Sequence, residues 1–379
     1  MRSLTVARAA CERFHPGLLA ALEELPLTAR EAPDSPIVEL FRTHGAPGLL
    51  APEEFGGAAA SPLDAVRVLR GLASASPSLG VVATMHHFTV AMLFSLAATA
   101  ERLTPAQHKM LAGIAGDRLL LASGWAEGRT DQNILLPSVV AEPTADGYRV
   151  NGSKKPCSLS ASMDILTSSV ALTGPDGQPS LAVLLIPADS AGISVRPFWS
   201  TPVLAAAQSN EVVLDNVAVP EDLVIRSTPE DAGRLDDLQT AGFIWFELLV
   251  SSAYTGVASA LVSRVLERGR GTVADRAALA TRMEAAVNLV EGTARAADDG
   301  LAGDEAVAAV LVARYAAQDL MAAAVDAAVE LLGGMAFISS FEVAYLSSAV
   351  RALAFHPPSR GSVAEALVDW FDGKPLRLS

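Results

Sequence analysis

The sequence predicts an α+β protein in which a helical region, a β region and a second helical region follow one another. Apolar residues recur at helical spacing towards both ends of the chain, whereas short β-branched runs separated by turn formers fill the middle. Composition agrees with this order, because 51% of the 379 residues are hydrophobic and 18% are charged. That balance is typical of packed helices around a substantial core.

The N-terminal region, residues 1–118, is predicted to form helices joined by loops. The stretch 62–73 spaces its apolar side chains along one helix face. The run 80–94 is apolar over too many residues for a single strand, which predicts a buried helix. That helix carries two adjacent histidines, His86 and His87.

The middle region, residues 119–228, is predicted to form a β domain. Its short runs are rich in β-branched residues, and turn-forming pairs such as Asp146-Gly147 separate them. The predicted strands are 139–142, 147–152, 165–172, 181–186 and 210–214.

The C-terminal region, residues 229–379, is predicted to form a four-helix bundle. Helical periodicity runs through 240–268, 273–300 and 304–332, and a shorter helical stretch follows Phe341. Short loops between these stretches favour antiparallel neighbours.

Charge and composition exclude several classes of function. The formal net charge of −14 repels phosphate backbones, so we expect no nucleic-acid partner. Two distant cysteines form neither a disulfide framework nor a zinc pattern, and no other metal site is expected. The N-terminus lacks a signal-peptide core, and the apolar stretches read as interrupted by charges or too short for a bilayer. A cytoplasmic enzyme or binding protein is the expectation.

Four local motifs, in this order, resemble those of the acyl-CoA dehydrogenase superfamily. They are an early turn at 50–57, a hairpin at 147–154, an exit from the β region at 213–220 and a Gly-Gly segment at 330–337. The resemblance implies an acyl-CoA dehydrogenase-like fold with an N-terminal helical domain, a middle β-barrel or sandwich domain and a C-terminal four-helix bundle. It also implies a flavin cofactor.

The resemblance places the first flavin contacts in the β region. The family's Thr-Glu-Pro segment matches the residues after Trp125, with Ala126 in place of the threonine. Its Trp-Ile-Thr segment matches Pro156 to Ser158, where a hydroxyl is kept but the tryptophan is lost. Trp125 either packs on the flavin ring or belongs to the core.

Further contacts are implied in the bundle. In the family, a helical hairpin reaches the cofactor of a neighbouring subunit. Here that hairpin is about one turn shorter in each arm, and Arg268 and Arg270 are the residues able to meet a phosphate. Gly333 and Gly334 either let the backbone approach the flavin pyrophosphate or end a helix. FAD is expected, with weak binding, FMN or no flavin as alternatives.

The carboxylate that removes a proton in acyl-CoA dehydrogenation is missing from its usual place. The family register puts it at Pro357, beside His356. A second branch of the family takes the base from the first bundle helix, where the register falls on Phe246, one residue before Glu247. A shift of one residue turns a helical side chain by about 100°.

His356 also matches a flavin monooxygenase branch of the superfamily that lacks the glutamate. That branch carries a histidine in this region and another in the N-terminal helices, where His86 or His87 would be the partner. A histidine can exchange a proton near neutral pH. The alternative is that these rings only pack.

Three functions remain open from the sequence. We name first the α,β-dehydrogenation of an acyl thioester, bound to CoA or a carrier protein. The second is a flavin-dependent monooxygenase that takes reduced flavin from a separate reductase and uses oxygen. The third is a divergent member without redox chemistry. The resemblance further implies a small-molecule or acyl-thioester substrate and a homodimer or homotetramer.

Overall fold

A computed structural model shows the predicted order of helices, strands and helices, so the predicted α+β class is confirmed. It describes residues 1–99, 103–128, 137–173, 179–226 and 237–378. The change from helix to strand falls between Gly116 and Leu121. The predicted boundary between 228 and 229 lies outside the described residues.

Two helices of the N-terminal region begin at side-chain caps. The Ser61 side chain accepts from the backbone N–H of Asp64 in front of a helix with proline at its first position, and Thr104 with Gln107 forms a capping box. The helices are α1 Arg2–Phe14, α2 Leu18–Glu23, α3 Leu27–Arg30, α4 Ile37–Thr43, α5 Pro62–Ala75, α6 Pro77–Thr99 and α7 Pro105–Gly116.

The strands of the middle region form one hydrogen-bonded mixed sheet. They are β1 Leu121–Gly124, β2 Val140–Thr144, β3 Gly147–Cys157, β4 Ile165–Thr173, β5 Pro179–Pro187, β6 Ile193–Arg196, β7 Asn210–Pro220 and β8 Val224–Arg226. Their order is β6-β7-β3-β2-β4-β5-β8, and β1 pairs in parallel with β4. The sequence missed β1, β6 and β8, which are too short for a visible alternation of apolar and polar residues.

In its described residues, the C-terminal region contains the four predicted helices and two shorter ones. They are α8 Asp237–Glu267, α9 Val273–Asp298, α10 Gly303–Leu332, α11 Gly334–Ser339, α12 Phe341–Val350 and α13 Ala364–Phe371. Helices α8, α9 and α10 pack on one another, and α12 packs on α8 and α10. A 3₁₀ turn, Arg351–Phe355, follows α12 and leads into the segment with His356.

Among the described residues, three helices are long and apolar enough to cross a membrane, so the prediction that the apolar stretches are too short is wrong. They are Pro77–Ser95, Gln239–Glu267 and Gly303–Leu332, of which 89%, 89% and 50% are buried inside the protein. Burial against neighbouring helices accounts for the apolar composition of the first two.

A buried carboxylate ties the three regions of the chain together. Glu31 accepts from the hydroxyls of Ser76, Ser78 and Tyr345. The Tyr345 hydroxyl also accepts from the backbone N–H of Leu204 in the loop after β6. Four bonded groups from helices and a loop are fixed at one point, which holds the sheet against both sets of helices.

Candidate functional site

The segment that carries His356 packs against the first bundle helix. Its Nε2 atom lies 2.9 Å from the hydroxyl of Tyr254, and its ring meets that of Phe246 edge-on, 6.0 Å between centroids. Phe246 also meets Phe88 of α6, at 5.3 Å. A chain of aromatic contacts, from Phe88 through Phe246, therefore links half-buried His356 to both helical regions.

A buried arginine holds the backbone of this segment. Arg314 lies in α10 with 1% of its side chain exposed. Its guanidinium donates to the carbonyl oxygens of Leu353 at 3.2 Å, of Pro357 at 3.1 Å and of His356. Hydrogen bonds from a charged donor are stronger than neutral ones, so the arginine fixes the path of the chain on both sides of the histidine.

Glu247 is the counter-ion of this arginine. Both of its carboxylate oxygens accept from Arg314, at 2.7 and 2.9 Å, and none of its side chain is exposed. Burial raises the pKa of Glu247 to about 7, while the charge of Arg314 opposes the rise. The geometry favours a structural role for Glu247, because its oxygens are committed inside the bundle.

Both positions where the family would place a base hold apolar side chains. Phe246 faces His356, whereas Glu247, one residue on, points to Arg314. The backbone carbonyl of Pro357 accepts from the same arginine. Neither register supplies a carboxylate for removing a proton from a substrate.

The His356 ring is held neutral. Burial among protein atoms, with the positive charge of Arg314, lowers the pKa of His356 to about 3. Burial raises the pKa of its partner Tyr254. A neutral imidazole carries one donor and one acceptor, so at neutral pH the pair acts through hydrogen bonds.

His86 lies at the junction of α6 and the sheet. Its Nδ1 accepts from the backbone N–H of Leu121, the first residue of β1, at 3.1 Å, and its Nε2 lies 3.0 Å from the carbonyl oxygen of Pro47. Burial lowers the pKa of His86 to about 4. Since both ring nitrogens hold main-chain groups, the geometry favours an anchoring role over a catalytic one.

His87 points into the N-terminal core. Its ring packs on Phe41 and His86, with centroids 5.6 and 5.0 Å apart, and its ring nitrogens have no hydrogen-bond partner among the described residues. Burial lowers the pKa of His87 well below its usual value. The structure does not bring this ring to His356, so its catalytic role gains no geometric support.

The first two predicted flavin segments are brought together by the sheet. Trp125 and Ala126 follow β1, and the carbonyl oxygen of Ala126 accepts from the backbone N–H of Lys155 in β3 at 2.8 Å. Beneath them Lys154 donates to Glu127 at 2.7 Å, both side chains being buried. Desolvation of Glu127 opposes the effect of Lys154 and Ser138, whose hydrogen bonds lower the pKa of Glu127 to about 2.

These segments fit a flavin. The indole Nε1 of Trp125 is buried and has no hydrogen-bond partner among the described residues. An unsatisfied buried N–H is costly, and a flavin ring offers oxygen and nitrogen acceptors that would satisfy it. The hydroxyl of Ser158 lies 2.9 Å from that of Ser209, and one of the two donates to the other. The hydroxyl that accepts keeps its own proton, which it can donate to a ligand.

The turn after Ser158 and the segment between β6 and β7, which lies against it, are conformationally strained. Leu159, Leu204 and Gln208 have positive φ values of 65°, 62° and 56°. Such backbone is costly for residues with a side chain and collects near binding sites. Backbone hydrogen bonds hold the two segments together, because the N–H of Leu159 donates to the carbonyl of Ala207 and that of Ser160 to the carbonyl of Gln208.

The remaining predicted flavin contacts lie in the bundle. Gly333, with φ of 86°, ends α10 and precedes α11, and space is open where a Cβ would stand on it and on Gly334. Both the helix end and room for a ligand fit this geometry. Arg268 and Arg270 lie exposed in the turn between α8 and α9.

The sequence reading missed Arg314 and Tyr254. A signal for Arg314 was present, because it is the one charged residue in the apolar run 306–317. A charge on an apolar helix must find a buried partner or reach solvent. Tyr254 carries no comparable signal, since a tyrosine in a buried helix needs only some acceptor.

Comparison with known proteins gives one family and several relatives. Residues 5–113 match the family of the acyl-CoA dehydrogenase N-terminal domain. The chain is 62% identical over 378 residues to isobutylamine N-hydroxylase of Streptomyces viridifaciens, covering 100% of both chains.

Two solved structures show the same fold. The nitrososynthase from Micromonospora carbonacea var. africana superposes with a TM-score of 0.82 at 23% identity, covering 97% of this chain and 96% of that one. FMN-bound TdsC from Paenibacillus sp. A11-2 gives 0.78 at 20% identity, covering 100% and 99%.

Proposed function

This chain belongs to the acyl-CoA dehydrogenase superfamily, alongside its flavin-dependent monooxygenases and N-oxygenases, and we propose that it hydroxylates the nitrogen of a small primary amine. The observation that carries the proposal is the 62% identity to isobutylamine N-hydroxylase along the whole chain. Side chains that shape a small pocket are expected to be largely shared at that level of identity.

The comparisons favour the monooxygenase alternative over acyl-thioester dehydrogenation, the function named first from the sequence. The site agrees with them. Dehydrogenation needs an ionised base at the substrate, but the base registers hold Phe246 and Pro357, and Glu247 is bound by Arg314. N-hydroxylation needs no such carboxylate, because an uncharged amine already carries the reacting lone pair.

The reaction balances with one reduced flavin. One atom of dioxygen forms the new N–O bond, the other leaves as water, and the flavin gives up two electrons and two protons. Reduced flavin with dioxygen supplies the oxidising oxygen when it is bound. FAD and FMN are both candidates for this role.

The residues of this chain bind and orient the reactants. Trp125, Ala126 and Ser158 would hold the flavin ring, with Gly333 and Gly334 beside its phosphates. A site shielded from water favours the uncharged amine over the hydrated ammonium ion, so the substrate would release its proton to solvent before it binds.

The experiment supplies chemically reduced FAD or FMN, dioxygen and isobutylamine, and measures the product by mass spectrometry. We expect the N-hydroxylamine, with one oxygen atom taken from ¹⁸O₂. Anaerobic reactions of the protein loaded with oxidised flavin and given acyl-CoA thioesters test the dehydrogenase. Bleaching of bound oxidised flavin by an acyl-CoA, with no hydroxylamine from any amine, would overturn the proposal.

Partners and location are part of the same proposal. A separate flavin reductase would supply the reduced cofactor, and a homodimer or homotetramer would bring Arg268 and Arg270 of one subunit to the cofactor of another. A cytoplasmic location suits a reaction that depends on a reductase.

A further inference from the structure

We propose that His356 serves as a neutral hydrogen-bond donor through Nδ1, and that Tyr254 and Arg314 are the positioning residues that hold it so. The inference deepens the proposed N-hydroxylation, on which it rests for the group that Nδ1 meets. It replaces the expectation that His356 exchanges protons with the substrate.

The partners available to the Tyr254 hydroxyl determine the direction of its hydrogen bond with His356. The residue Tyr254 is 1% exposed, and among the described residues the one acceptor recorded for its hydroxyl is His356 Nε2, at 2.9 Å. If Nε2 carried the ring proton, the hydroxyl proton would be buried without an acceptor, which is costly. The Tyr254 hydroxyl therefore donates, and the ring proton belongs on Nδ1.

The other ring nitrogen is available to a ligand. The His356 ring is half-buried, and its Nδ1 makes no hydrogen bond to a described residue. The contacts on the other side of the ring are with Tyr254 and Phe246. A ligand that reaches Nδ1 of half-buried His356 therefore meets an N–H.

Arg314 fixes where that N–H points. Three carbonyl oxygens, from Leu353, His356 and Pro357, converge on its guanidinium. The carbonyl of Pro358 accepts in addition from the hydroxyl of Tyr315, at 2.9 Å. A planar fork with several donors can bind carbonyls in different directions at once, which an ammonium group does less well.

Among the charged and titratable groups that the described residues place around the ring, Arg314 favours the neutral form and no carboxylate is free to stabilise the cation. From α10 come the cation Arg314 and the phenol Tyr315, and from α8 come Tyr254 and the carboxylate Glu247. That carboxylate is bound by Arg314 through both oxygens, so it is not free to stabilise an imidazolium. An imidazole in this setting can donate but is a poor base.

A neutral donor has a definite use in the proposed reaction. An N–H at this place can hold an oxygen acceptor, such as an oxygen of the flavin or of the N-hydroxylated product, without protonating the amine. An imidazolium could instead pass its proton to the amine, which must stay uncharged to react. The donor keeps the reactants oriented while the pH changes.

Nuclear magnetic resonance of protein with ¹⁵N-labelled histidine tests the tautomer directly, without flavin or substrate. His356→Asn identifies the signal among the six histidines. We expect the Nδ1–H tautomer, unchanged between about pH 5.5 and 8, a range that spans the pKa of a free imidazole. A His356 ring that titrates inside that range, or a dominant Nε2–H tautomer, overturns the inference.

Tyr254→Phe tests the positioning role, with Tyr148→Phe as the matched control because Tyr148 bonds Arg226 in the sheet. We expect Tyr254→Phe to give a mixture of tautomers, and about a fivefold fall in hydroxylamine formed per flavin oxidised, comparable to the loss of one hydrogen bond. The control should leave both unchanged. An unaltered His356 spectrum in Tyr254→Phe refutes the role of Tyr254.

Arg314→Lys keeps the charge and removes the fork, with Arg282→Lys as the control at a half-buried position of α9, where the arginine donates to the carbonyl of Ala323. We expect a lower yield per flavin and a shifted His356 signal, while the His86 signal stays as in the wild type. An unshifted His356 signal refutes the clamp. If wild-type protein hydroxylates no amine but shows the expected tautomer, the proposed function fails and this inference stands.

Discussion

His86 and His356 are held by opposite means. The side chain of His86 anchors the chain, because its two ring nitrogens bind the backbone of Leu121 and Pro47. The side chain of His356 is itself anchored, because Arg314 grips the backbone on both sides of it and Tyr254 takes one ring nitrogen. Both nitrogens of the His86 ring are therefore hydrogen-bonded, whereas one nitrogen of the His356 ring has no bond to a described residue.

This difference indicates which histidine has a structural role and which has a role in the reaction. Burial lowers the pKa of both rings, so a perturbed pKa does not distinguish them. The two rings differ in the number of their nitrogens that have a hydrogen-bond partner, which is two in His86 and one in His356. We therefore expect His86 variants to lose stability and His356 variants to lose activity.

The largest expected effect is on the anchor of the His356 segment. Arg314→Met leaves Glu247 buried without its partner and three carbonyl oxygens without their donor, so we expect a loss of about 3–5 kcal/mol in the free energy of unfolding. Urea denaturation measures it. The double variant with Glu247→Leu should recover much of the loss, and a single variant as stable as the wild type would contradict the role of the ion pair.

Removal of the His86 ring is expected to cost about 3 kcal/mol of stability. His86→Ala strands the backbone N–H of Leu121 and the carbonyl of Pro47 in the interior and leaves a cavity. His86→Gln keeps a side chain able to bond one of the two groups, so it should lose less. Equal stability of His86→Ala and wild type in urea would show that the ring is no anchor.

Acidification should weaken the N-terminal region. Burial lowers the pKa of His86 and of His15 to about 4 and that of His87 further, so the unfolded chain binds more protons below about pH 6.5. Stability is therefore complete above that pH and falls towards pH 4, by about 2 kcal/mol for one such ring at pH 5. Unfolding in urea at pH 7 and pH 5 should show a smaller loss in His86→Gln, which lacks one titrating ring.

The smallest change in free energy is expected at the residue proposed for chemistry. His356→Ala should reduce hydroxylamine formation at least tenfold, about 1.4 kcal/mol in the barrier, with stability changed by less than about 1 kcal/mol. Because His356 is half-buried, water can enter the space of the lost ring and accept from the Tyr254 hydroxyl, which limits the cost to folding. Steady-state rates beside urea curves separate the two effects, and unchanged rates would remove His356 from the reaction.

Most of the fold followed from local patterns. The helix predicted from the spacing of apolar residues in 62–73 is α5, and the long apolar run 80–94 lies inside α6. The two were predictable because periodicity and length report burial within one element. The three missed strands are short segments that depend on hydrogen bonds to neighbours, and no local pattern encodes those neighbours.

The site was less predictable than the fold. The order of residues is enough to show that the base is missing, since no carboxylate stands at Pro357 or Phe246, and to single out His356. The pairing of Glu247 with Arg314, the anchoring of β1 by His86 and the unbonded nitrogen of His356 beside Tyr254 depend on the folded chain. The residue type sets which hydrogen bonds a side chain can make, but their partners come from distant parts of the chain and are fixed by packing.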